Sequence, residues 1–240
     1  MKLLTIVLSI FFLTTNLSAQ IFEDIEVDET KISDWITTDI NEYEGVYFFG
    51  ISEAESQVFV CIDKSFVCVQ IQDFIWVELD NKHLDWRPKY QNFTNCRIIG
   101  NEFYSDETNG EFVLYKNGNK VVKGLKLDNP PNDYDKKYEI GQLGEEDVSK
   151  YLSGTYTNTK FEVILPSILN SYNSQELIIL RNEIFARYGY IFKNGGSMDI
   201  FFRGKDWYSG LYSNVDKWLT IIEKENIKNI KQIEEKKGNP

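Results

Sequence analysis

Apolar positions change period once along this chain. From about Glu42 to Leu127 they come in short blocks: Gly45-Val46-Tyr47-Phe48-Phe49-Gly50, Val58-Phe59-Val60-Cys61-Ile62, Phe66-Val67-Cys68-Val69-Gln70-Ile71 and Phe74-Ile75-Trp76-Val77-Glu78-Leu79. β-Branched and aromatic runs of this length predict strands. Asn109-Gly110 and Asn117-Gly118 carry hairpin-turn chemistry around the strand-like run Glu111 to Tyr115. The blocks lie too close together for crossover helices, so the sheet is expected to be mostly antiparallel. A meander closing into a barrel, or folding into a sandwich, is the expected result.

After Tyr172 the period becomes helical. Asn173 with Glu176 three residues on forms a box-like helix start. Leu177, Leu180, Ile184 and Tyr188 then share one face, with Ile178 and Phe185 widening the stripe. Gly189 is the natural left-handed stop. A second helix is predicted from Thr220, boxed by Glu223, with Ile227, Ile230 and Ile233 buried. Between the two lie a turn at Asn194-Gly195-Gly196, the segment Met198-Asp199-Ile200-Phe201-Phe202, and Asp206-Trp207-Tyr208.

These periods define an α+β protein, with an N-terminal antiparallel β barrel or sandwich at residues 20–130 and a small helical C-terminal domain at 172–240. Asp128-Asn129-Pro130-Pro131-Asn132-Asp133 marks the expected boundary, because two prolines remove backbone donors among turn-forming neighbours. Residues 131–171 are expected to be a linker or an ambiguous segment, with a hairpin open as a reading at Thr157-Asn158.

The first nineteen residues have the layout of a secretory signal peptide: Lys2, an apolar run from Leu3 to Leu13, and Leu17-Ser18-Ala19 before Gln20. The run falls well short of the ~20 residues of a spanning helix. Export to the periplasm or beyond is therefore expected, with no transmembrane segment after signal removal. The formal net charge of −11 disfavours nucleic acid and anionic membrane surfaces as partners. Three cysteines make no disulfide framework. A turn at Lys64-Ser65 would set Cys61 opposite Cys68, either as a bridge or as buried thiols, leaving Cys96 over.

Catalytic motifs are hard to find. His83 is the only histidine and sits in the polar stretch Asn81 to Trp86, read as a loop; no Gly-x-Ser-x-Gly elbow is present. Zinc-ligand spacing is missing. Ser105-Asp106-Glu107-Thr108-Asn109-Gly110 lacks the acidic first position and closing Glu of a calcium loop, and reads as a hairpin turn. No metal or cofactor is implied. Thirty-seven acidic side chains leave a carboxylate pair possible by number alone.

One segment stands apart from generic helix: Leu180-Arg181-Asn182-Glu183-Ile184-Phe185-Ala186-Arg187-Tyr188-Gly189, followed by Asp206-Trp207-Tyr208 and Ile222-Glu223-Lys224-Glu225-Asn226-Ile227. Residues 173–235 resemble the YARHG domain, a module of exported bacterial proteins. Its naming pentapeptide corresponds to Phe185-Ala186-Arg187-Tyr188-Gly189, with Phe for the leading Tyr and Tyr for the His. The resemblance implies an exported module without established activity, and the loss of the His removes any imidazole chemistry at Tyr188.

The candidate residues are thus Arg181, Glu183, Arg187, Tyr188, Gly189, Asp206, Trp207 and Tyr208, as a recognition site or a structural clasp. In the clasp, Arg187 pairs with Glu183 one turn back or with Asp206. Trp207 and Tyr208 are either a stacking platform or the core of a small domain. The expected function is non-catalytic binding or scaffolding in the envelope or extracellular space. Two alternatives stay open: a small-ligand carrier using a barrel interior, and a carboxylate-dependent hydrolase of envelope polymers.

Overall fold

The computed structural model describes residues 28–50, 56–64, 66–78, 84–128 and 137–238. The expected signal peptide, His83 and the proline-containing boundary from Asn129 lie outside them.

Ten strands form one sheet: β1 (Ile32–Asp34), β2 (Gly45–Phe49), β3 (Ser56–Asp63), β4 (Phe66–Glu78), β5 (Leu84–Asn92), β6 (Arg97–Ile99), β7 (Glu102–Tyr104), β8 (Asn109–Asn117), β9 (Lys120–Asp128) and β10 (Tyr138–Leu143). Their order is β5-β4-β3-β2-β10-β9-β8-β7-β6, with β1 also paired to β8. Each described pairing between these strands is antiparallel. Two meanders, β2 to β5 and β6 to β9, are joined by β10, which comes last in sequence and inserts between β2 and β9.

The expected closed barrel does not form; the sheet is open. Strands β5 and β6 are its two ends, and among the described residues no ladder joins them. The reason lies at β5. Phe93 N–H bonds Val69 O at 2.8 Å, and Val69 continues the β4–β5 register. Period-two alternation then turns the backbone groups of Pro88, Tyr90 and Asn92 outward. Pro88 has no N–H to offer a further strand, so it fits an edge. The outward Pro88 carbonyl instead accepts the Tyr212 hydroxyl at 2.8 Å. Asn92 Nδ2 donates to the carbonyls of Lys217, Trp218 and Leu219 at 3.2–3.3 Å. The helical region covers this edge where a barrel would place β6.

The sheet's concave interior is filled. Trp35, Tyr43, Tyr47, Phe49, Phe103 and Phe112 pack there with aliphatic neighbours from β3, β4 and β9. Tyr43 stacks on Phe112 with centroids 4.1 Å apart. This interior is a packed core among the described residues, and the closed barrel on which the carrier reading rests is absent. Cys61 stands opposite Cys68 in register, as the turn arithmetic requires, and both are buried free thiols. Burial, then the neighbouring Cys68, pushes the Cys61 thiol well above its ordinary range.

The C-terminal region contributes α1 (Pro166–Leu169), α2 (Ser174–Arg187), α3 (Ser197–Arg203) and α4 (Ile221–Lys236). Both predicted capping boxes are present, Asn173 with Glu176 and Thr220 with Glu223. Between β10 and α1 run two 3₁₀ turns, Val148–Tyr151 and Thr157–Lys160. Leu177, Leu180, Ile184, Tyr188, Ile227, Ile230 and Ile233 make the helical core. Tyr90 of β5 belongs to that same core, and Ile222 of α4 packs on the sheet's Val46, Phe59 and Cys61. Strands β2, β3 and the first half of β4 are thus buried on both faces, one by the sheet's own side chains and one by the helices.

Candidate functional site

Helix α2 ends where the chain must turn sharply. Gly189 takes φ +73°, and a Cβ there would lie 3.0 Å from the Ser209 carbonyl oxygen. Glycine alone adopts this conformation without strain and permits the close approach. The Gly189 carbonyl accepts from Leu211 N at 2.8 Å and Tyr212 N at 2.9 Å. The helix stop therefore holds the segment that covers β5.

Stopping the helix here aims Arg187 and Tyr188 into the seam between helices and sheet. The Arg187 side chain is 6 % exposed. Its guanidinium donates to Thr159 Oγ1 at 2.6 Å and Tyr156 O at 3.3 Å, and lies 3.4 Å from Glu183 and 3.6 Å from Glu223. A planar fork reaching several acceptors is a task for Arg rather than Lys. Of the two partners expected for Arg187, the structure gives Glu183. Asp206 is exposed and takes no part; its place is filled by Glu223 from α4.

Glu183 is fixed in turn. Its Oε1 accepts from Thr155 N at 2.9 Å and Tyr156 N at 2.6 Å. This packing needs a glycine at 154, where φ is +114° and a Cβ would come within 2.4 Å of Glu183 Oε1. Arg181 forms a separate tie, bonding Glu234 of α4 at 2.9 Å.

Tyr188 occupies the position of the family's His. Its hydroxyl donates to Glu223 Oε2 at 2.6 Å and sits 2.9 Å from the donating Lys160 Nζ. Gln70 Oε1 of β4 is 3.0 Å away and also receives Lys160, while Gln70 Nε2 donates to Trp218 O at 2.5 Å. Lys160 is 3 % exposed, with its ammonium 4.8 Å over the Phe59 ring. Burial, then the Glu223 charge, pushes the Tyr188 phenol well above its ordinary range. Such a group is held neutral and works as a hydrogen-bond donor.

Glu223 joins these parts. Oε2 accepts the Tyr188 hydroxyl and the Thr220 N–H, while Oε1 faces Arg187. Its role as the N3 member of a capping box was legible in sequence. Its tertiary role was not, because nothing local distinguishes a boxed Glu that looks inward. Lys160, Gln70 and Thr159 were missed for the same reason: each reaches the site from a different element, and a lone Lys or Gln carries no local signal.

The cluster borders a cavity of about 130 Å³, lined by Gln72, Tyr90, Lys160, Arg187, Tyr188 and Glu223 among others. Arg187 Nε and Glu223 Oε1 have no hydrogen-bond partner among the described residues. Drug-sized ligands occupy pockets of roughly 300–1,000 Å³, so this space suits a few waters bridging those atoms.

Trp207 and Tyr208 belong to a neighbouring aromatic cluster with Phe192 and Phe202. Phe192 stacks on Phe202 at 5.1 Å, and the Tyr208 hydroxyl donates to Tyr190 O at 2.7 Å. They brace the loop after α2 and do not touch Arg187. Of the eight sequence candidates, Glu183, Arg187 and Tyr188 form a buried cluster, Gly189 is the helix stop, Trp207 and Tyr208 are an aromatic brace, Arg181 ties separately to Glu234, and Asp206 stays exposed outside all of them. The loop from Ser105 to Thr108 closes as a hairpin turn, with Ser105 N bonding Thr108 O at 3.1 Å. Among the described residues, no group of three or more His, Cys, Asp or Glu is placed to hold a metal ion.

A helical unit whose terminal arginine and glycine tie its own segments together, and whose Tyr188 reaches the sheet at Gln70, is the class of module defined here. Residues 154–235 match the family model described as YARHG domain, and the chain carries that domain. The match begins at Gly154, so it takes in the loop that holds Glu183 and Arg187 as well as the helices. No curated protein and no solved structure matches the chain.

Proposed function

We propose that this protein is an exported, non-catalytic binding or scaffolding module in which the YARHG pentapeptide is an internal clasp. One observation carries the reading: Arg187 and Tyr188 direct their polar atoms to Glu183, Glu223, Thr159, Tyr156, Lys160 and Gln70. Acid or base work requires a group within reach of a reacting atom. Here the carboxylates are turned onto an arginine, a phenol and backbone amides. No described helix is long and apolar enough to cross a membrane, and the signal-peptide layout of residues 1–19 supports work outside the cytoplasm.

The test is capture of partners from envelope fractions by the intact exported chain, run beside release assays on envelope polymers. Reproducible capture without release supports the reading. Release that disappears in Glu223→Gln, while the fold is retained, would replace it with the carboxylate-dependent hydrolase.

A further inference from the structure

The clasp leaves an open trench along the seam it closes. One part, about 730 Å³, lies beside the β5 edge and is lined by Ile75, Val77, Lys89, Tyr212, Lys217 and Trp218, among others. The next part, about 550 Å³, runs past Phe66, Phe93, Cys96 and Ile221 at the start of α4. Asn92 and Lys224 line both parts, so the two lie side by side. No carboxylate occurs among the residues lining either part, although the chain as a whole has a formal charge of −11. Lys89, Lys217 and Lys224 are all exposed there.

From this charge complementarity we propose that the trench binds an extended acidic peptide segment of a partner protein, a deepening that rests on the binding-module reading above. Its walls decide the chemistry. The lysines suit carboxylates, whereas Ile75, Val77, Phe93 and Ile221 suit apolar side chains between them. A polyphosphate or an acidic glycan has nothing to offer those walls.

The experiment measures binding of a labelled peptide of alternating Glu and Val to the full exported chain, by fluorescence anisotropy at low salt. Controls are the same peptide with Lys for Glu, inorganic polyphosphate as competitor, and the triple variant Lys89→Glu, Lys217→Glu, Lys224→Glu. Saturable binding of the acidic peptide is expected. The triple variant should weaken it by about tenfold or more, since three exposed charge contacts are reversed, with no change in thermal midpoint. Ile75→Asn, which removes apolar surface without changing charge, should weaken it as well, separating peptide binding from simple charge attraction. Equal binding by the triple variant, equal binding of the Lys peptide, or full competition by polyphosphate overturns the proposal. So does absence of binding by the unaltered chain. In any of these cases, capture from envelope fractions that survives the triple variant leaves the binding-module reading standing without the trench.

Discussion

Strands β2 to β4 turn Tyr47, Phe49, Val58, Val60, Val69 and Ile71 to one side and Val46, Phe59, Cys61, Cys68 and Gln70 to the other. The first side is closed by aromatic and aliphatic side chains of the same sheet. The second is closed by the YARHG domain, through Gln70, Lys160, Arg187, Tyr188 and Glu223 as well as apolar contacts. Both are buried, yet they differ in what they demand. An apolar interior asks for volume and tolerates exchange of similar shapes. A buried ionic cluster requires that each member find its partner, since a lone charge left behind is strongly destabilising. The difference teaches that the sheet core makes the protein compact, while the second face sets how the two regions sit together.

That contrast can be broken at its strongest point by Arg187→Ala. Glu183 and Glu223 would be left buried without their cation, and a loss of about 3–5 kcal/mol is expected in chemical denaturation. A loss under about 0.5 kcal/mol would show that the cluster is not a structural tie. Tyr188→Phe keeps the ring but removes the donor to Glu223, with an expected loss of about 1–3 kcal/mol.

The same substitution sharpens the comparison through pH. Tyr188 is raised above its ordinary value of 10.0, so the folded state holds this proton more tightly than the unfolded chain. Its contribution is complete below pH 10 and is lost as pH rises from there toward the folded-state value. Stability should therefore decline above about pH 10, less steeply in Tyr188→Phe. Identical alkaline slopes in the two chains would remove Tyr188 from this role.

On the apolar face, Leu125→Met should cost no more than about 1.5 kcal/mol despite complete burial of Leu125. A loss as large as that of Arg187→Ala would erase the distinction between the faces. The smallest effect is expected for Asp206→Ala, within about 0.5 kcal/mol, because this exposed carboxylate lies outside the clasp. A larger loss would restore Asp206 as the tie suggested by its place in the motif.

Legibility in the sequence followed the range of the interactions. The capping boxes at Asn173 and Thr220 were readable because their partners are three residues apart. Gly189 was readable because a helix stop is local, and the β2, β3 and β8 runs because strand chemistry repeats every second residue. Strand β5 was hidden: Asp85, Arg87, Lys89 and Gln91 alternate with Leu84, Trp86, Pro88 and Tyr90, and both the polar set and Pro88 argue for a loop. In the fold Pro88 is acceptable because it faces out from an edge. Strand β10 was hidden too, since Tyr138–Leu143 gains its identity only by inserting between β2 and β9.

What the sequence by itself determined is the material: a β-rich region, a boxed and glycine-stopped helical unit, and the pentapeptide that marks it as YARHG. Closure, contact and charge placement were decided by tertiary structure. Whether an antiparallel meander closes depends on what meets its last edge, and here that is the segment Leu211 to Leu219. Arg187 chose Glu223 over Asp206 because α4 brings a capping carboxylate inward while Asp206 stays at the surface. Those choices depend on residues tens of positions apart, where no local propensity acts and only packing brings the groups together.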